Sequence, residues 1–314
     1  MTKATIVGAG NVGSNTARRI AENDVADEVV LIDIVEGLPQ GLALDLNQSA
    51  PVEGFEATVV GTNDYADTAS SDVVVITAGL PRKPGMSRMD LLEKNAEIVS
   101  GVTAQIAKHS PEAVLVVVSN PLDEMTYLTS LVSGFPKARV MGMAGVLDSS
   151  RLRFFIAERL SVPPASVEAM TLGSHGDQMV ALPRHATVRG RPVPELINDK
   201  GLADLFARTR DAGAEIVGYL KKGSAFYAPS SSAATMVDAI LRDSGEVFPT
   251  CAWTTGEYGI SDVYLGVPAR LGISGVVEIV ELELELNEDE SNQLKEAAEA
   301  IRSKCKELEA HRPS

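Results

Sequence analysis

The pattern Gly8-x-Gly10-x-x-Gly13 constrains this chain more than any other feature. It follows a short apolar run, Ala4 to Val7, and precedes small apolar residues at helical spacing, Ala17, Ile20 and Ala21. A buried strand, a glycine turn and an opening helix, in that order, form the first unit of a dinucleotide-binding fold. Gly8 permits the tight turn, Gly10 lets backbone approach a pyrophosphate, and Gly13 lets the helix pack on the strand. The helix start offers free N–H groups and the positive end of its dipole to phosphates. A second apolar run, Val29 to Ile32, ends at Asp33, twenty residues after Gly13. A carboxylate there accepts hydrogen bonds from the adenosine ribose and repels a 2′-phosphate, so NAD is favoured over NADP. The bland alternative is an ordinary strand-turn-helix with an acidic strand end. The common register of strand, glycines, helix and acid argues against it.

The first half continues the alternation. Leu38 to Leu46 reads as helix and Ala57 to Val60 as strand. Asp72 to Thr77 and Ala113 to Val118 are continuous apolar runs rich in valine, expected of strands buried on both faces. This pattern predicts a parallel sheet with helices on both sides and ligands at the C-terminal strand ends. The second half is mixed. Residues 186–194 read as a hairpin, 202–220 and 228–241 as helices, and 246–254, 262–267 and 275–278 as strands. A helix with acids in its first turn opens at Asn287. The expected class is α/β: a Rossmann-type parallel sheet over residues 1–145, then an α+β substrate domain over 146–314, without a flexible hinge.

Charge and cysteine content narrow the function classes. With 43 acidic and 28 basic residues the formal charge is −15, which argues against a nucleic-acid partner. No apolar run is long enough to span a bilayer, and no secretory leader is expected because the N-terminus enters a strand directly. Cys251 and Cys305 match no zinc or redox spacing, so no metal is expected, and the scarcity of cysteine fits a reducing cytoplasm.

Candidate chemistry sits at the strand ends. Residues 78–88 form a loop with Arg82, Lys83 and Arg88, a candidate lid over an anionic ligand. The helical stretch 89–108 carries Asn95. Asn120 precedes Pro121 at a strand end, where helix is disfavoured. Asp148 and Arg151 open a helix, and His175 lies between glycines in Gly173-Ser-His-Gly-Asp177, at the end of an apolar run, Val167 to Leu172. Singly, each is explicable as a turn, a cap or a surface charge. Together they suit hydride transfer from a hydroxy acid: a histidine base, an aspartate to orient it, and arginines to clamp carboxylates.

On these motifs the chain resembles the lactate/malate dehydrogenase superfamily, specifically the lactate dehydrogenase-like branch of malate dehydrogenases. The motifs are Gly8 to Gly13 with Asp33, Arg82 to Arg88, Ser119-Asn120-Pro121, Leu147 to Arg151, and Gly173 to Asp177, and the resemblance covers essentially the whole chain. It implies that His175 accepts the substrate proton and Asp148 pairs with it. Arg151 would hold the carboxylate beside the reacting carbon, Arg88 would polarise the carbonyl in the reverse reaction, and Asn120 would bond the substrate oxygen. NAD would lie on Gly8, Ala9, Gly10, Asn11, Val12, Gly13 and Asp33, with Asn95, Val118, Ser119 and Asn120 at its nicotinamide half. Arg82 stands where lactate enzymes typically carry glutamine, which implies a dicarboxylate: L-malate to oxaloacetate, a step of the tricarboxylic acid cycle. The alternatives are an L-lactate or other 2-hydroxy acid dehydrogenase, and a non-catalytic NAD-binding regulator. An NAD-dependent glycoside hydrolase ranks below these, because the motifs lack its metal-binding cysteine. The resemblance also implies a homotetramer, or a dimer, built through helices near 41–50, 151–160 and 230–242.

Overall fold

Helices and parallel strands alternate through the first half of the computed structural model, which describes residues 1–80, 88–176, 178–282 and 285–310. The elements are β1 (Lys3–Val7), α1 (Asn11–Glu22), β2 (Glu28–Ile32), α2 (Leu38–Glu53), β3 (Thr58–Thr62), β4 (Val73–Ile76), α3 (Arg88–His109), β5 (Val114–Val117), α4 (Leu122–Ser133) and β6 (Val140–Gly142). The strands pair in parallel in the order β3-β2-β1-β4-β5-β6. β4 and β5 are buried throughout, because helices cover both faces of the sheet. Ala17, Ile20 and Ala21 of α1 pack on one face, and Val99 and Ile106 of α3 with Met125 and Leu128 of α4 on the other. Burying each large apolar side chain contributes roughly 1.5–3 kcal/mol, so this double layer holds the strand ends rigidly in place.

The second half holds α5 (Gly145–Leu160), β7 (Val167–Glu168), β8 (Thr171–Gly173), β9 (Met179–Ala181), β10 (Thr187–Val188), β11 (Arg191–Pro192), α6 (Asp199–Leu220), α7 (Tyr227–Leu241), β12 (Val247–Thr255), β13 (Ser261–Gly272), β14 (Gly275–Ile279) and α8 (Glu288–Ala310). Cys251 of β12 pairs antiparallel with Gly142 of β6, so the first sheet runs on through β12-β13-β8-β9, with β14 beside β13. Strands β11-β10-β7 form a small separate sheet. The fold is thus the expected α/β arrangement, a parallel Rossmann-type sheet followed by a mixed half. Among the described residues no helix is long and apolar enough to cross a membrane.

Two local expectations differ from the structure. Helix α2 does not end near Leu46 but runs to Glu53, through Pro51. Pro51 has no N–H to donate to the carbonyl one turn back, so the helix forgoes one bond near its end, and Gly54, at φ +87°, closes it. The apolar run 167–172 splits in two: β7 joins the small sheet and β8 the large one. Apolar content alone does not report such a change of partner.

Candidate active site

The glycine turn has the geometry its pattern implies. Gly8 has φ +106°, and a Cβ on it would lie 2.7 Å from Thr77 Oγ1. A Cβ on Gly13 would sit 1.8 Å from the Gly8 carbonyl oxygen, inside any contact distance. A Cβ on Gly10 would meet nothing within 4 Å, so this glycine faces open space rather than protein. Gly10 is also the N-cap of α1 and supplies no side-chain cap to its first N–H groups. Such an end suits an anionic ligand. Asp33 stands at the end of β2. Its Oδ2 accepts from Ala9 N–H at 2.6 Å and its Oδ1 from Val35 N–H at 3.0 Å, which ties β2 to the turn. From the other half, Ser230 Oγ of α7 donates to Val12 O at 2.9 Å.

The ends of β4 and β5 are braced by side chains. Ser119 Oγ donates to Ala78 O at 2.6 Å. Asn95, buried on α3, uses its whole amide on backbone. Its Oδ1 accepts from Leu80 N–H at 2.7 Å, and its Nδ2 donates to Asn120 O at 2.7 Å and Leu80 O at 3.2 Å. Asn120 is thereby held at the mouth of the site with its own side chain exposed.

Helix α5 and the β8–β9 turn meet to form the chemical centre. The helix begins at Gly145, so Asp148 lies in its first turn and Arg151 one turn further on. Asp148 faces inward rather than capping the helix. Its Oδ2 lies 2.8 Å from His175 Nδ1, and its Oδ1 accepts from Arg151 Nη1 at 3.3 Å. A carboxylate on Nδ1 fixes a neutral ring with hydrogen on Nδ1 and leaves Nε2 to accept a proton. Burial opposes a charge on His175, but the Asp148 carboxylate and, beyond it, Asp123 outweigh burial and the opposing Arg151. The imidazole is held above the ordinary histidine range. The flanking glycines are required by the backbone: Gly173 has φ +85° and Gly176 φ +93°.

These groups line a cavity of about 320 Å³ with Asn120, Arg210, Ala225 and Pro229. Arg151 Nε is buried there with no hydrogen-bond partner among the described residues. An orphaned guanidinium N–H beside an imidazole is suited to a carboxylate ligand. A roomier groove of about 680 Å³ between α3, α4 and α8 has no histidine among the described residues that line it and lies away from this chemistry. Among the described residues no cluster of His, Cys, Asp or Glu could hold a metal ion.

The fold thus gathers Asn120, Asp148, Arg151 and His175 at one cavity and sets the Gly8–Gly13 turn and Asp33 at the neighbouring strand ends. Arg82 and Asp177 lie outside the described residues, as does the side chain of Arg88, whose backbone opens α3. Sequence reasoning missed Arg210, which reaches the cavity from α6 and donates to Met179 O at 3.3 Å. It also missed Asp123, which reads as an ordinary first-turn acid of α4 but is buried. Neither belongs to a motif; only the packing singles them out.

Comparison with known proteins identifies the family. The family model for lactate/malate dehydrogenase, NAD binding domain, matches residues 2–142, and that for the lactate/malate dehydrogenase, alpha/beta C-terminal domain, matches residues 145–312. A malate dehydrogenase of Salinibacter ruber is 52% identical over 98% of this chain and 97% of its own length. One from Roseiflexus sp. is 51% identical over 98% and 99%. The solved Salinibacter ruber structure superposes with a TM-score of 0.94 at 50% identity, covering 98% of each chain. A lactate dehydrogenase of Cryptosporidium parvum, solved with lactic acid and nicotinamide adenine dinucleotide, superposes with a TM-score of 0.93 at 40% identity, again over 98% of each chain. The chain belongs to the lactate/malate dehydrogenase family.

Proposed function

We propose that the chain catalyses the reversible NAD-dependent oxidation of L-malate to oxaloacetate. The His175–Asp148–Arg151 set carries this reading, with a proton-accepting ring nitrogen beside a buried guanidinium N–H that has no partner among the described residues. Relatives named malate dehydrogenase, about half identical over nearly the full length, support it.

When bound, the nicotinamide of NAD accepts hydride from the hydroxyl-bearing carbon. The residues suited to hold NAD are Gly8, Ala9, Gly10, Asn11, Val12 and Gly13 at the pyrophosphate and Asp33 at the ribose. Val118, Ser119 and Asn120 serve the nicotinamide half, with Asn95 bracing the Asn120 carbonyl. His175 Nε2 takes the hydroxyl proton while Nδ1–H donates to Asp148, which orients the ring and stabilises the imidazolium. Arg151 holds the carboxylate next to the reacting carbon, and Asn120 donates to the substrate oxygen. In the reverse direction Arg88 polarises the carbonyl and the His175 imidazolium returns the proton. Arg82 answers the second carboxylate of a dicarboxylate, which would be heavily penalised if buried unpaired.

The test is NADH oxidation with oxaloacetate and with pyruvate, for the native protein and Arg82→Gln. The expected result is a strong native preference for oxaloacetate that collapses in the variant. Native preference for pyruvate would replace the malate reading with lactate chemistry on the same site. Turnover of neither, with NADH still bound, would leave a regulator.

The finer readings belong with this proposal. The enzyme acts in the cytoplasm, in the tricarboxylic acid cycle, as a homotetramer assembled through α2, α5 and α7. Exposed apolar side chains on those helices support the last point: Leu44 and Val52, Phe154, and Tyr227. A dimer mass by light scattering would overturn the tetramer. The break between β6, which ends at Gly142, and α5, which starts at Gly145, supports a division into domains 1–145 and 146–314.

A further inference from the structure

Asp123 is the second carboxylate behind His175, and the hydride-transfer reading does not use it. A first-turn acid normally faces water, where the helix dipole favours it. Asp123 is instead turned inward and only 3% exposed. Ser174 Oγ donates to its Oδ2 at 2.5 Å, and Cys251 Sγ to its Oδ1 at 3.3 Å. Two donors aimed at two oxygens favour the ionised form of a carboxylate. Lys304 of α8 pairs with the neighbouring Glu124, at 3.9 Å. Lys304 also favours the ionised form of Asp123, but the hydrogen bonds to its two oxygens come from Ser174 and Cys251. Ser174 is the residue immediately before His175.

We infer that Asp123 is a positioning residue for His175: through Ser174 it fixes the turn that carries the imidazole, and its negative charge favours the protonated ring. This rests on His175 as the proton acceptor. The ring faces Asp148 and Arg151 from α5 and Asp123 from α4. Asp123 in turn faces Ser174 and His175 from the β8–β9 turn, Cys251 from β12 and Lys304 from α8, with Cys305 of α8 beyond Cys251. Burial holds the Asp123 carboxyl above the ordinary carboxylate range, and the Ser174 and Cys251 donors, His175 and Lys304 offset part of that rise. Asp123 stands among the causes that raise His175, after Asp148.

The two reaction directions separate this role from plain structural support. Malate oxidation needs neutral His175, and oxaloacetate reduction needs the imidazolium. Asp123→Asn keeps the volume and removes the charge. The His175 titration midpoint, followed by NMR of the imidazole in the apo protein, is expected to fall by about half a unit to one unit. Oxidation then gains at acid pH while reduction loses at neutral pH. A merely structural defect would lower both directions at every pH and leave the midpoint in place. A folded Asp123→Asn with an unmoved midpoint overturns the inference. Should that variant fail to fold, Ser174→Ala decides. Loss of the donor leaves Asp123 harder to ionise, so a smaller fall of the same sign is expected, with a reduced kcat. An unchanged midpoint and kcat there would equally overturn it. The apo titration reads the coupling whatever the substrate, so failure of the malate assignment would not be mistaken for failure here.

Discussion

The two halves of the site are built by opposite means. On the cofactor side the chain offers backbone: one contiguous turn, Gly8 to Gly13, with Asp33 pinned to it through Ala9 N–H. On the substrate side it offers side chains that meet only because the fold brings them together. Asp148 comes from α5, His175 from the β8–β9 turn, Asp123 from α4 and its partner Cys251 from β12. The first half works by leaving space, and the second by placing charge. Volume should therefore damage the glycine turn, and isosteric loss of charge should damage the histidine centre.

The largest effect is expected at that centre. His175→Asn removes the ring nitrogen that takes the proton, and kcat for malate oxidation should fall by about a thousandfold. NADH binding, read by fluorescence, should persist, because the substitution leaves the Gly8–Gly13 backbone and Asp33 unchanged. Asp148→Asn should approach the same loss in kcat, since an amide can hold His175 in the wrong tautomer. Loss of NADH binding in either variant would break the division between the halves.

Gly13→Ala is the converse. Its Cβ would fall 1.8 Å from the Gly8 carbonyl oxygen, so α1 must move off β1. Overpacking of this kind costs about 3 kcal/mol, and denaturant unfolding should show it together with weakened NADH binding. Unchanged stability would mean that the close approach of helix and strand is not needed.

The same contrast explains what was legible in the sequence. The glycine turn and Asp33 were readable because their geometry is local: a strand, three glycines and a helix leave few other conformations. The alternation of apolar runs likewise gave the parallel sheet. The pairing of Asp148 with His175, 27 residues apart, was not in the residues themselves and rested on the resemblance. Asp123 was missed altogether, because a first-turn acid looks the same in sequence whether it faces water or the interior. The break between β7 and β8 was missed for a related reason: strand partners are chosen by the whole sheet.

The pH profile sharpens the comparison on the charged side. Because Asp148 and Asp123 together outweigh burial and hold His175 above the ordinary histidine range, the imidazolium persists to higher pH. The kcat/KM of malate oxidation should rise with pH through that raised midpoint. The kcat/KM of oxaloacetate reduction should fall through it. Asp148→Asn removes the larger of the two raising charges, so its midpoint should lie below the native one. A native midpoint below the ordinary range would mean that burial wins over the carboxylates.

The smallest effect on the fold, and the finest test of the backbone side, is Gly10→Ala. A Cβ at Gly10 meets nothing within 4 Å, and its φ of −69° is open to any residue. The folded protein therefore has no reason to lose stability, and the unfolding free energy should stay within about 0.5 kcal/mol of native. The space that the methyl enters is the space the pyrophosphate needs, so NADH affinity should still fall several-fold. Gly13→Ala and Gly10→Ala then form a pair on one turn, three residues apart, in which one glycine serves the protein and the other its ligand. If Gly10→Ala binds NADH as tightly as native, the pyrophosphate does not cross the turn at Gly10, and the open face there needs another explanation.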